Sequence, residues 1–299
     1  MAGEANHGEA HSAYRHTTGY RKTRTQPTSK HHATPPWAAA AYTRWPRPIA
    51  TPNKRSGGGE PFIEGLVGFY LSIVAGLKMA DLPTGRTFAA FLFDMDGTLL
   101  NSIASANRAW SEWAARHGVD FEEMRQHMHG MRAVETIRRW GPAHLDVEAE
   151  YEALTIAEME DVHDITAISG AQAFLNALPG DRWALVTSAP RNLALRRIEA
   201  AGLPVPPLLV TADDVANGKP APDCFLMAAD MLGVSPRDCL VWEDAPAGIA
   251  AAKAAGMACI VIDAAHTHPI ETDNPKIPGY DALTVLVEPG RGLQLAVTA

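Results

Sequence analysis

The sequence predicts an α/β fold: a parallel sheet wrapped by helices on both faces, with a block of helices inserted after the first strand. Three observations predict it. Short apolar runs end abruptly in polar or acidic residues at Phe93-Asp94, Val186-Thr187 and Trp242-Glu243. Helix-patterned stretches closed by glycine follow the second and third of these runs. The segment 101–170 is too long for a loop and has no strand-like apolar run.

The first run is Phe91-Leu92-Phe93-Asp94-Met95-Asp96-Gly97-Thr98-Leu99. Side chains alternate along a strand, so Asp94 and Asp96 start on the same side. The carboxyl end of a strand in an open parallel sheet is where such folds hold ligands. Two carboxylates there repel unless a cation sits between them or one keeps a proton. The pair suits Mg2+, which prefers carboxylates and keeps several waters. It also suits a carboxylate nucleophile beside a carboxylic acid. A strand running into an acidic turn has the same letters, so the rest of the chain must decide.

The second run, Trp183-Ala184-Leu185-Val186-Thr187-Ser188, leads into a helix pattern from Pro190 to about Ala201, with Gly202 as its stop. Hydroxyls and free N–H groups before a helix suit phosphate oxygens, and Ser188 also suits a plain helix cap. Lys219 follows in Gly218-Lys219-Pro220-Ala221-Pro222 and has no other lysine between Lys78 and Lys253. Its prolines stiffen the loop, and its ammonium could neutralise a carboxylate and a phosphoryl group together. The third run ends in Glu243-Asp244, ahead of an alanine-rich helix to Ala255. These acids suit the positive end of that helix and also a metal. Nucleophile, acid, cation and donors are the parts that phosphoryl transfer needs.

With Asp94-Met95-Asp96-Gly97-Thr98, Thr187-Ser188, Gly218-Lys219-Pro220 and Glu243-Asp244 in this order, the chain resembles the haloacid dehalogenase-like hydrolase superfamily from about Phe88 to Ile262. Thr211-Ala212-Asp213-Asp214-Val215 and Glu243-Asp244-Ala245-Pro246-Ala247-Gly248 resemble the sugar-phosphate and glycerol-phosphate phosphatase branch, which includes the 2-deoxyglucose-6-phosphate phosphatases. The resemblance implies a Rossmann-like parallel core at 79–100 and 171–299 with a helical cap at 101–170. It implies a Mg2+-dependent phosphatase of a small sugar, polyol or glycerol monophosphate. Asp94 would attack phosphorus, and Asp96 would protonate the leaving alkoxide and then activate water. Mg2+ would rest on Asp94, the Asp96 carbonyl, Asp244, and Glu243 through a water. Thr187, Ser188, Ala189 and Lys219 would hold the phosphoryl oxygens.

Asp96 argues for phosphate esters, because dehalogenases of this superfamily do not need it. The absence of lysine between Lys78 and Lys219 excludes the Schiff-base chemistry of phosphonoacetaldehyde hydrolases. A β-phosphoglucomutase-like sugar phosphomutase stays open, since its core would look the same, and a catalytically silent binding domain is the reading from another class. Two departures stand out. Pro190 lacks an N–H where the family usually offers one, and Trp242 replaces a smaller aliphatic residue; both are expected to reshape the pocket.

In the inserted segment, helices are expected at Ile103–His117, Glu122–His129, Arg132–Trp140 and Asp146–Val162, broken at Gly118, Gly130 and Gly141-Pro142. Trp110 and Trp113 fall on an apolar stripe and read as interior of that block. His129-Gly130-Met131-Arg132 is the candidate substrate-reading loop, with His129, Gly130 and Arg132 as contacts; ordinary surface residues between helices would look the same.

Residues 1–78 are rich in His, Thr, Pro, Ala and Gly and read as a disordered or dispensable tail, with Met79 resembling a natural start. Gly65–Leu77 is apolar but too short to span a bilayer. The tail holds 10 Lys+Arg against 4 Asp+Glu, near +6, so a chain total of −8 leaves 79–299 near −14. That acidic body argues against nucleic-acid binding. Cys224, Cys239 and Cys259 form neither a zinc pattern nor a disulfide framework, and read as buried thiols in the cytoplasm. Five of twelve histidines lie in the tail, and His266 and His268 read as loop residues. A monomer without membrane partners is expected.

Overall fold

The computed structural model describes residues 82–265, 270–288, 290 and 292–298. The tail 1–78, the start at Met79, the apolar stretch Gly65–Leu77, and His266 and His268 lie outside the described residues. Thr87–Phe88 (β1), Ala90–Phe93 (β2) and Leu100–Asn101 (β3) lead into four helices: Ile103–His117 (α1), Phe121–Met128 (α2), Ala133–Trp140 (α3) and Val147–Glu160 (α4). The chain returns through Thr166–Ala167 (β4), Ala171–Asn176 (α5), Trp183–Val186 (β5), Arg191–Ala200 (α6), Leu209–Val210 (β6) and Asp223–Met231 (α7). It then runs through Cys239–Glu243 (β7), Pro246–Ala254 (α8), Ala258–Ile262 (β8), Lys276–Ile277 (β9), Leu283–Glu288 (β10) and Gly292–Val297 (β11).

Six strands form a parallel sheet in the order β6-β5-β2-β7-β8-β9. The chain builds outward from β2 to β6 on one side, then crosses back and builds from β7 to β9 on the other. The order therefore reverses beside β2, and the crevice at that reversal is where such sheets bind ligands. β2 is apolar throughout because both its faces are covered. Phe91 and Phe93 pack with Phe174 of α5 and Leu193 of α6, while Ala90 and Leu92 pack with Phe225 of α7 and Ala251 of α8.

Trp242 of β7 stacks on Phe93 and meets Phe91, Phe174 and Tyr280. Each such ring pair adds about 0.5–1.5 kcal/mol beyond area burial. Trp242 is fully buried in this cluster and does not line the crevice, so it fills the core rather than reshaping the pocket. Pro190 does line the crevice.

The first apolar run does not make one strand. β1 leaves the parallel sheet and pairs with β11, which pairs with β10, giving a separate antiparallel sheet. β9 adds a short edge strand to the parallel sheet beside β8. α1–α4 fall within one or two residues of their expected bounds, and Asp120 and Asp146 cap α2 and α4 through backbone N–H groups. The four helices share an apolar interior of Trp110, Trp113, Met124, Met128, Ile137 and Leu154. Trp113 is completely buried, and its Nε1 donates to Glu150 at 3.1 Å. β3 and β4 pair antiparallel where the chain enters and leaves the bundle. Among the described residues, no helix is long and apolar enough to cross a membrane.

Candidate active site

Asp94 follows the last residue of β2, and its N–H continues the parallel ladder to the Trp242 carbonyl at 2.9 Å. Asp94 is therefore fixed at the crevice by the sheet itself. The turn after it is tight. Gly97 has φ +89°, and a Cβ there would lie 1.9 Å from Asp244 Oδ2. Only glycine lets this loop approach the end of β7 so closely. Thr98 Oγ1 donates to Asp244 Oδ1 at 3.3 Å, tying the two loops together.

Lys219 reaches the same point from the loop before α7. Its Nζ donates to Asp94 Oδ1 at 2.6 Å, Glu243 Oε1 at 2.8 Å and the Val186 carbonyl at 3.1 Å. An ammonium has three donors, and all three are used. Glu243 Oε2 accepts from the N–H groups of Asp244 and Ala245 at 2.8 and 2.9 Å. Glu243 thus holds Lys219 with one oxygen and the turn into α8 with the other. Oε1 keeps a lone pair beyond its bond to Lys219, which leaves room for the expected contact with a metal through a water.

Asp94, Glu243 and Asp244 are buried and each offers a carboxylate oxygen, all within 4.8 Å of one another. Asp96 does not belong to this cluster. Burial opposes the charge on Lys219, yet the carboxylates of Asp94 and Glu243 outweigh it and keep the ammonium protonated. Asp94 is pushed well above the usual carboxylate range by burial, with Lys219 opposing and Glu243 and Asp244 adding to the rise. Three carboxylates against one ammonium leave a surplus of negative charge. A divalent cation fits that surplus, and oxygen donors are the ligands that Mg2+ takes.

Asp94, Asp96, Thr187, Ser188, Ala189, His129 and Gly130 line one cavity between the sheet ends and the helical bundle. Thr187 Oγ1 accepts from the Ala189 N–H at 3.1 Å, so the second expected phosphate loop is folded on itself. Ser188 Oγ donates to the Gly130 carbonyl at 2.8 Å, joining that loop to the bundle. Gly130, at φ +78°, packs so that a Cβ would lie 2.7 Å from the Ala245 side chain.

Arg132, expected to read the substrate, stands apart from the residues that line this cavity. Its guanidinium pairs with Glu135 and donates to the carbonyls of Val215 and Ala216 at 3.1 and 3.0 Å. It ties the bundle to the Lys219 loop.

Four polar cavity residues escaped the sequence reading: Ser102, Thr155, Glu158 and Arg197. Ser102 Oγ donates to Asp96 Oδ1 at 2.5 Å, and Arg197 donates to the same oxygen at 3.0 Å. Arg197 also donates to Glu158 Oε1 at 2.9 Å. Burial raises the Glu158 pKa against the opposing Arg197 charge, while Arg197 keeps its proton because Asp96 and Glu158 outweigh its own burial. A signal was present in the sequence. Arg197 shares the buried face of α6 with Leu193, Ala194 and Ile198, and Glu158 shares that of α4 with Leu154 and Thr155. A charge on each of two apolar stripes marks a buried pair.

A family model described as haloacid dehalogenase-like hydrolase matches residues 88–256. The chain belongs to that family. Among the relatives of this hydrolase, Hexitol phosphatase A of Escherichia coli K12 is 42% identical over 195 residues, covering 64% of this chain and 88% of that protein. 2-Deoxyglucose-6-phosphate phosphatase 1 of Saccharomyces cerevisiae is 32% identical over 198 residues, covering 58% and 80%. The crystal structure of CbbY from Rhodobacter sphaeroides in complex with phosphate matches with a TM-score of 0.56 at 27% identity, covering 63% of this chain and 92% of that one. The resemblance to the sugar-phosphate phosphatase branch is borne out by these relatives.

Proposed function

We propose that this hydrolase is a Mg2+-dependent phosphatase of small sugar, polyol or glycerol monophosphates, working through an aspartyl-phosphate on Asp94. One observation carries the reading: Asp94, at the end of the central strand, faces a cavity on one side and the Lys219–Glu243–Asp244 cluster on the other. The names of the relatives, hexitol and 2-deoxyglucose-6-phosphate phosphatases among them, support the substrate class. Asp94, the Asp96 carbonyl and Asp244, with Glu243 through a water, would hold Mg2+, which supplies neutralisation of the phosphoryl charge when bound.

An Asp94 oxygen forms a bond to phosphorus as the ester P–O bond breaks. Asp96, as the carboxylic acid, gives its proton to the departing oxygen and is left as a carboxylate. Water then gives a proton to Asp96 and attacks phosphorus, which returns Asp94 as a carboxylate. Thr187 and the Ser188–Ala189 turn line the same cavity as Asp94 and would hold the phosphoryl oxygens with Lys219. We read 79–100 and 171–299 as the catalytic core and 101–170 as a cap that excludes water from the ester. Three free, buried thiols support a reducing, cytoplasmic setting.

The test is phosphate release from a panel of hexitol, sugar and glycerol monophosphates, with Mg2+ and with EDTA. Release that needs Mg2+ and is strongest on one polyhydroxy ester is expected. No release on any member overturns the reading, and isomerisation on adding a hexose bisphosphate would replace it with a mutase.

A further inference from the structure

Asp96 stands on a loop rather than on a strand, so the sheet does not fix its carboxyl as it fixes Asp94. Two side chains do. Ser102 and Arg197 both donate to Oδ1, at 2.5 and 3.0 Å. Among the described residues, both side-chain hydrogen bonds to this carboxyl fall on Oδ1 and neither on Oδ2. The carboxyl is thereby turned so that Oδ1 is a held acceptor and Oδ2 is the oxygen left for the proton.

Arg197 does this from a buried position, 4% exposed, on α6. Its second nitrogen donates to Glu158 of α4, itself 5% exposed, and its Nε has no protein acceptor. A guanidinium has five N–H donors and can serve two carboxylates at once. This one is stretched between two, and the second is the acid/base group. The fork geometry of a guanidinium suits such a bridge, whereas a lysine ammonium is a point charge. The two carboxylates come from different parts of the molecule, since Glu158 lies on the bundle and Asp96 on the sheet loop.

We infer that Arg197 is the positioning residue for Asp96: held by Glu158 of the bundle, it fixes Oδ1 and so presents Oδ2 to the leaving oxygen. The assignment rests on the phosphatase reading. It makes proton delivery depend on the bundle being seated, because α4 carries the group that anchors the guanidinium. Glu158 acts only through Arg197.

The leaving group separates positioning from simple loss of structure. An alkyl phosphate needs a proton on its departing oxygen, whereas p-nitrophenyl phosphate departs as a stable phenolate without one. Rapid-quench measurement of leaving-group release in the first turnover reads the step that forms the phosphoenzyme. Arg197→Met is expected to slow release from the best alkyl ester by about 10- to 100-fold, in line with a misplaced general acid. Release of p-nitrophenolate should change less than about threefold. Hydrolysis of the phosphoenzyme, which uses Asp96 again, should slow equally for both esters. Glu158→Gln keeps an acceptor for Arg197, is the milder change to the fold, and should show the same selectivity at smaller size. Equal slowing of both first-turnover releases in either variant, or no slowing of the alkyl ester, overturns the assignment. Wild type failing on both esters with Mg2+ overturns the phosphatase reading instead.

Discussion

Gly248 is the position where the packing behind Asp94 can be tested most sharply. It lies in the first turn of α8, and a Cβ built there falls 1.5 Å from Glu243 Oε1 and 1.9 Å from its carboxyl carbon. In Gly248→Ala, Glu243 must move. Its carboxylate accepts from Lys219 Nζ and from two backbone N–H groups. Bonds of this charged kind are worth about 1.5–3 kcal/mol each. Losing two of them costs about 3–5 kcal/mol, the range for breaking a buried ion pair. Alanine in place of glycine inside a helix returns about 1 kcal/mol of propensity. The net is a loss of about 2–4 kcal/mol. For a domain of this size, each kcal/mol moves Tm by about 2–4 °C, so a fall on the order of 10 °C is expected. Gly180→Ala, where nothing lies within 4 Å, is the control and should stay within about 0.5 kcal/mol. Differential scanning calorimetry of the three proteins reads the outcome. A Gly248→Ala protein at least as stable as wild type, with full phosphatase activity, would refute the argument that Glu243 is locked against α8.

Other outcomes follow from the same cluster. Lys219→Ala should lower kcat by at least about 100-fold, the scale for losing one preorganised electrostatic group, and steady-state kinetics at saturating Mg2+ check it. Removing metal with EDTA should abolish phosphate release, and adding back Mg2+ should restore it, because the surplus carboxylate charge around Asp94 otherwise opposes an incoming phosphate dianion. Burial raises the thiol pKa of Cys239 to about 11 and also raises those of Cys224 and Cys259. At neutral pH the native protein should therefore take up almost no iodoacetamide, while the unfolded chain takes three, as counted by intact mass.

The sheet was legible because its strands are buried on both faces and read as unbroken apolar runs such as Phe91–Phe93 and Cys239–Trp242. The bundle was legible because Trp110 and Trp113 keep helical spacing and Asp120 and Asp146 are capping residues in the right places. The antiparallel sheet was not. β1 is two residues long and parted from β2 by Ala89 alone, and its partner is β11, through Thr87↔Gln294 and Phe88↔Leu293. Local pattern carries no information on which distant strand supplies the partner.

The site divides in the same way. Asp94, Glu243 and Asp244 sit at strand ends, where an acid interrupts an apolar run, and Lys219 is marked by the glycine and prolines of its loop. Arg197 and Glu158 sit within helices, where each letter looks like a surface charge until its face is known. Arg132 shows the opposite limit: a loop position suggested a ligand, and local pattern could not show that its side chain bonds Glu135 and two distant carbonyls. Trp242 was expected to reshape the pocket because it replaces a smaller aliphatic residue, but alternation along β7 sends it to the aromatic core.

The central claim is that Asp94 carries the phosphoryl group. It is tested most directly by mixing enzyme, Mg2+ and substrate, quenching in acid, reducing with borohydride, and sequencing the tryptic peptides by mass spectrometry. Reduction converts an aspartyl-phosphate to homoserine, and the account predicts homoserine at position 94 alone, absent from the Asp94→Asn protein. Homoserine at Asp96 or elsewhere, or none while phosphate is being released, would contradict it.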